Sequence, residues 1–182
     1  MVGEGDLKRE VVSTATIRIG SSADLPFLRE MLFEAAFWRP GAERPPLSEG
    51  LARPDLAKLL AGWGRPGDTA MIAESSGRER LGAAWYRFWS DEDHSYGYVG
   101  PAVPELAIGV RAEARRRGVG EALLRALLAH GGAQCVQEIS LSVELDNPAL
   151  RLYERLGFRR VGRVGGAWTL VARTPEGVGR RR

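Results

Sequence analysis

At 182 residues, with 44% apolar and 27% charged side chains, the chain suits one soluble globular domain, since domains usually run to about 100–200 residues. A spanning helix needs about 18 successive apolar residues, and no such run exists, so no membrane partner is expected. The net charge of +3 is slight and its arginines are scattered, which argues against a nucleic-acid surface.

Residues 1–14 are polar and lack the apolar stretch of a signal peptide, so they read as a flexible N-terminal segment of a cytoplasmic protein. The domain is expected over 15–174, followed by a basic flexible tail at 175–182. Thr16–Ile19 reads as a strand. Ser21, Ser22 and Asp24 supply helix-start chemistry for an apolar stripe from Leu25 to Phe37. Arg39 to Pro46 breaks the pattern. A second helix is predicted over Pro54 to Ala61, ended by Gly62 and Gly64. Thr69–Glu74 and Leu81–Trp89 form a predicted hairpin, turned at Ser75–Arg80. Ser90 to Pro104 is a long polar loop.

The second half is more regular. Glu105–Val110 reads as a strand. Val119, Leu123 and Leu127 recur at helical spacing, and Leu124 and Leu128 widen the stripe to suit a helix packed on a sheet. Ile139, Leu141, Val143 and Leu145 alternate with polar residues, the period of a strand. Asn147 and Pro148 start a helix, which Gly157 ends, with Phe158 folding back. Two strands follow, at Arg159–Val164 and Trp168–Ala172. A helix between two strands of one sheet implies a parallel crossover.

Arg115-Arg116-Arg117-Gly118-Val119-Gly120 lies between a strand and a helix. The first amides of a helix have no internal partner and the dipole there is positive. Glycines allow close approach, and arginines add forked donors. Such a turn suits a pyrophosphate, although an exposed basic loop would look the same. A P-loop and a dinucleotide fingerprint are both absent. The single cysteine, Cys135, forms no internal disulfide and reads as a small packing residue.

In this context the stretch resembles motif A of the GNAT superfamily, Arg/Gln-x-x-Gly-x-Gly/Ala, with Arg115, Gly118 and Gly120 in the defined positions. The preceding Pro104–Val110 resembles the family's bulged fourth strand, and Asn147–Phe158 resembles its motif B. The resemblance implies an α/β fold, a single GNAT domain whose central mixed, mostly antiparallel sheet is flanked by helices. It implies an N-acetyltransferase that moves acetyl from acetyl-CoA, as cosubstrate, to a primary amine by direct attack in a ternary complex. The cofactor-binding residues would be Ile108, Gly109 and Val110 along the pantetheine arm and Arg115, Arg116, Arg117, Gly118, Val119 and Gly120 around the pyrophosphate. Asn147 would touch the arm, unless Asp146 takes that place. Tyr153 would be the general acid and Glu105 the base, while a packed ring and a strand-edge charge are the plain alternatives. No metal is implied, and a homodimer paired through sheet edges or helices stays open.

The acceptor is not named by these motifs. Phe33, Phe37, Trp38, Arg39, Trp63 and Trp168 are candidates for lining its cleft, and Tyr96, Gly97 and Tyr98 for its mouth. The acidic run Asp91-Glu92-Asp93, with His94, could attract a cation or simply be solvated. Two rival classes remain: a non-catalytic acyl-CoA sensor, and a nucleic-acid-binding domain.

Overall fold

The computed structural model describes residues 15–176. The expected flexible segment 1–14, and the tail beyond Glu176, lie outside the described residues. The elements run β1 (Thr16–Ile19), α1 (Leu25–Ala36), α2 (Leu47–Ala52), α3 (Pro54–Ala57), β2 (Thr69–Glu74), β3 (Arg80–Arg87), β4 (Glu105–Val110), α4 (Val119–Ala133), β5 (Glu138–Glu144), α5 (Leu150–Arg155), β6 (Arg159–Val164) and β7 (Ala167–Arg173). The strands form one sheet in the order β1-β2-β3-β4-β5-β7-β6. Every pairing is antiparallel except β4 with β5. That parallel pair is the crossover that the interposed helix α4 demands.

Alternation along the strands sends side chains to two cores. Met71, Ala73, Ala84, Tyr86 and Leu106 meet the α4 stripe, whose Val119, Leu123, Leu124, Leu127 and Leu128 are all buried. Ala70, Ile72, Ala83 and Trp85 meet Phe27, Leu28, Met31 and Leu32 of α1 on the other face. Helix α1 lies directly on β4. A β-carbon at Gly109 would strike the main chain of Met31, so glycine is what lets helix and strand touch without a side chain between them.

The structure departs from expectation at several points. Helix α2 lacks a sequence signal because Gly50 sits inside it. The glycine is required there, since a β-carbon would come within 2.9 Å of both Phe33 and Phe37. The helix predicted to Ala61 stays α-helical only through Ala57, then tightens into i→i+3 turns such as Leu60 N–H to Ala57 O. The bulge expected in β4 is not present against β3, where the register runs unbroken from Arg87↔Glu105 to Gly82↔Val110. What opens is the other edge: β4 and β5 share the single pair Glu105↔Ser140 and then part.

Helix α5 begins later than its Asn-Pro signal. Asn147 Oδ1 accepts from Ala149 N–H at 2.9 Å, an Asx turn that precedes the helix. Its C-terminus closes as predicted. Gly157 has φ +91, Gly157 N–H bonds Glu154 O, Phe158 N–H bonds Tyr153 O, and the Tyr153 and Phe158 rings meet edge-on at 5.8 Å.

Candidate active site

The parting of β4 from β5 leaves a row of main-chain groups facing the gap. Ser140 N–H bonds Pro104 O on the β5 side, while Arg111 N–H bonds Leu81 O on the β3 side. In an antiparallel ladder the groups alternate, so Leu106, Ile108 and Val110 face the gap and Glu105, Ala107 and Gly109 face β3. Gly109, expected at the cofactor arm, turns its main-chain groups to β3 and packs against Met31. Ile108 and Val110 keep their place on the open edge.

At the end of that edge the chain turns into α4. Arg116 and Gly118 have φ of 59 and 82. The alternation folds the amides of Arg116, Arg117, Gly118, Val119 and Gly120 into a concave row with no acceptor among the described residues. The side chains of Arg116 and Arg117 are exposed beside it. Arg115 differs. Its amide is used by Ala112 O at 3.3 Å, its Nε donates to Val110 O at 3.0 Å, and its Nη2 meets Glu34 Oε2 at 2.7 Å. Arg115, expected at the pyrophosphate, here braces β4 against α1. Gly120 is bordered by Leu152, Ile108 and Val110, with 3.6–3.9 Å from the place of its missing β-carbon. The gap thus continues between β4 and α5, and Glu121 ties α5 to α4 through Arg155 at 2.8 Å.

Glu105 stands where β4 and β5 part. Its side chain shares the face of Ala107, the α1 side. Oε1 accepts from Gly97 N–H at 2.9 Å, and Oε2 is buried with no partner among the described residues. Burial raises this carboxyl to about 7, against the lowering pull of the Gly97 amide, the Ser95 hydroxyl and the more distant His94 and Lys58. Tyr153 is buried on the opposite face, in the α4 core, and burial pushes its phenol up to about 12. Its hydroxyl therefore stays protonated. Asn147 spends Oδ1 on its own turn, and Asp146 is engaged by Arg39, at 3.0 Å for one of the contacts.

The loop predicted over Ser90–Pro104 covers Glu105. Tyr98 donates to Asp91, His94 stacks on Tyr98 at 4.4 Å, and Lys58 Nζ reaches Asp93 Oδ1 at 2.9 Å. The acidic run is thus partly spent on internal bracing. Of the acceptor candidates, Phe33 and Phe37 pack ring to ring at 4.6 Å, and Trp38 and Arg39 cross from the end of α1 to Glu144 on β5. Trp168 pairs with Val143 in the α4 core, on the face away from Glu105, so it does not line that cleft. Trp63 lies 5.6 Å from the Arg87 guanidinium.

Arg87 was not anticipated. It is paired with Asp68 at 2.6 Å, both side chains 2% exposed, and it also donates to Lys58 O and Ala61 O. It stands opposite Glu105 in the β3–β4 register. An arginine between Tyr86 and Phe88 on a strand was the available signal, but its partner is remote in sequence.

Among the described residues no helix is long and apolar enough to cross a membrane, and no group of three or more His, Cys, Asp or Glu is placed to hold a metal ion.

Comparison with known proteins bears on this geometry. The sequence model of the acetyltransferase (GNAT) family matches residues 29–158. An L-methionine sulfoximine/L-methionine sulfone acetyltransferase of Pseudomonas aeruginosa is 30% identical over 170 residues, 85% of this chain and 90% of that protein. A mycothiol acetyltransferase of Corynebacterium aurimucosum is 31% identical over 114 residues, 57% of this chain, and the match spans only 36% of that longer protein. Among solved structures, a phosphinothricin acetyltransferase from Sinorhizobium meliloti in complex with AcCoA superposes with a TM-score of 0.63 at 21% identity, covering 91% of each chain. With the family's sequence model over most of its length and the family's fold around an opened β4–β5 edge, the chain belongs to the GNAT acetyltransferase family and is an acyltransferase.

Proposed function

We propose that the protein moves the acetyl group of acetyl-CoA to a primary amine by direct attack within a ternary complex, with Glu105 as base and Tyr153 as acid. The observation that carries this reading is the buried, unpartnered Oε2 of a carboxyl raised to about 7. An ammonium must lose a proton before it can attack, and a base poised near the working pH does this best. The free amides from Arg116 to Gly120 would hold the pyrophosphate, and the open edge at Ile108 and Val110 would pair with the pantetheine arm. Asn147 keeps its side-chain N–H donors for the same arm. Acetyl-CoA supplies an activated thioester. Val110 N–H, facing the gap, meets the negative charge that develops on the carbonyl oxygen. Tyr153, held protonated by burial, donates toward the departing sulfur. A small amine-bearing acceptor is favoured by the Pseudomonas relative, which aligns along nearly its whole length and is named for amino-acid analogues. The cytoplasm is the proposed compartment.

Glu105→Gln tests the base. Turnover should fall by about 10²–10⁴ near neutral pH, and the acid limb near pH 7 should vanish. An unaltered pH–rate profile sinks the role. The same variant has a stability signature. The folded carboxyl titrates near 7 against an ordinary 4.5, so folding opposes its ionisation. Wild type should lose stability as pH rises from 4.5 through about 7, and Glu105→Gln should not, which urea midpoints across that window would show.

A further inference from the structure

Glu105 is held by a single main-chain group. Gly97 N–H bonds Oε1 at 2.9 Å, while Oε2 has no partner among the described residues. Gly97 is wedged in place. A β-carbon there would lie 2.7 Å from Leu141 C, 2.8 Å from Ser142 N and 2.8 Å from Glu105 Oε1. The glycine therefore sits against the main chain of β5 where β4 departs from it. The surrounding segment is braced at several points. Tyr98 bonds Asp91, His94 stacks on Tyr98, and Lys58 Nζ bonds both Asp93 and the His94 carbonyl. Lys58 is itself anchored, because the buried Arg87 donates to its carbonyl oxygen and pairs with Asp68.

We propose that Gly97 is a positioning residue for the base: its N–H holds Oε1 of Glu105 so that Oε2 alone is turned to the acceptor's proton, and the lack of a side chain is what permits the hold. This rests on the reading of Glu105 as base. A carboxylate that accepts one fixed bond loses its freedom to rotate, and its remaining oxygen presents one lone-pair direction to the substrate. The same bond favours the charged form, which burial opposes. The other groups facing the carboxyl are Lys58 just after α3, His94 and the hydroxyl of Ser95 from the loop, which adds a smaller lowering pull than the Gly97 amide, and Arg87 opposite on β3, already neutralised by Asp68. On β5 the partner is the neutral Ser140. Among these, Gly97 is the one whose N–H lies within hydrogen-bond distance of the carboxylate.

The test is the pH–rate profile of Gly97→Ala with a saturating amine. The β-carbon forces the segment off β5, so the bond breaks. The acid limb should move up by about one unit, with turnover at neutral pH falling about tenfold and the KM for acetyl-CoA unchanged. A uniform loss of turnover with the limb in its wild-type place overturns the proposal. A second measurement needs no variant at position 97. In ¹⁵N-labelled protein the Gly97 amide resonance should titrate with the midpoint of the limb, and should cease to do so in Glu105→Gln. A Gly97 resonance that ignores pH across that range also overturns it. If Glu105→Gln keeps the wild-type profile, the base reading itself has failed. If Glu105→Gln abolishes the limb while Gly97→Ala leaves it in place, the positioning role alone has failed.

Discussion

Two loops border the β4–β5 gap in opposite states. The turn from Arg116 to Gly120 has successive amides without acceptors, two exposed guanidinium groups and left-handed backbone at Arg116 and Gly118. The loop from Asp91 to Tyr98 is tied down by a tyrosine–aspartate bond, a ring stack, a lysine bridge and the Gly97–Glu105 bond. In the proposed function the first loop holds its donors in reserve for a ligand's oxygens. The second uses most of its polar groups on itself and leaves one carboxylate oxygen over. The difference fits the proposed tasks: a binding cradle gains from unsatisfied donors that a ligand completes, whereas a proton acceptor gains from being held in one place.

The sharpest way to break this contrast is to remove the post behind the second loop. Arg87→Met should strand Asp68 in the interior and destabilise the fold by about 3–5 kcal/mol, read from urea denaturation. A loss under 1 kcal/mol would mean the pair is solvated in solution and the Lys58 anchor is independent of it. On the other side of the gap, Gly118→Glu places a carboxylate among the reserved amides and a side chain at φ +82. Acetyl-CoA affinity should drop at least about a hundredfold in calorimetry, with the loop at 91–98 unaffected. Retained affinity would show that the amides serve the helix and not a ligand. The smallest effect is expected at Tyr153→Phe. The hydroxyl has no partner among the described residues, so stability should change by less than about 0.5 kcal/mol, while turnover falls about tenfold or more at unchanged acetyl-CoA affinity. Unchanged turnover would leave Tyr153 as a packing residue against Phe158.

Features with a local cause were legible in the sequence. Strands β2 and β4 begin and end where their patterns place them, and the α4 stripe is buried at each predicted leucine. The glycine cap at Gly157 follows from its own φ requirement. Features caused across the fold were not legible. Gly50 reads as a helix breaker until Phe33 and Phe37 are seen pressed against it. Nothing in the sequence around Arg115 announces that Glu34, distant in sequence, takes its guanidinium. Trp168 carries no mark of which face of β7 it joins. In the candidate site, Glu105 and Tyr153 were nominated through resemblance to the GNAT motifs. Burial raises the carboxyl and the Gly97 amide pulls it back down, and no residue pattern announces either.

The contact between Gly109 and Met31 has a mechanical consequence. With no side chain as cushion, α1 is geared to β4 at that point, and its far end at Ala36 lies about 8 Å along the axis from Met31. A tilt of about 7° at this fulcrum displaces the far end by about 1 Å, and Trp38 and Arg39 lie just beyond it. Substitutions along residues 33–52 can therefore shift the far end of α1 while the open edge of β4 stays in register, provided the fulcrum remains glycine. A methyl group at position 109 would act at both ends of the lever at once.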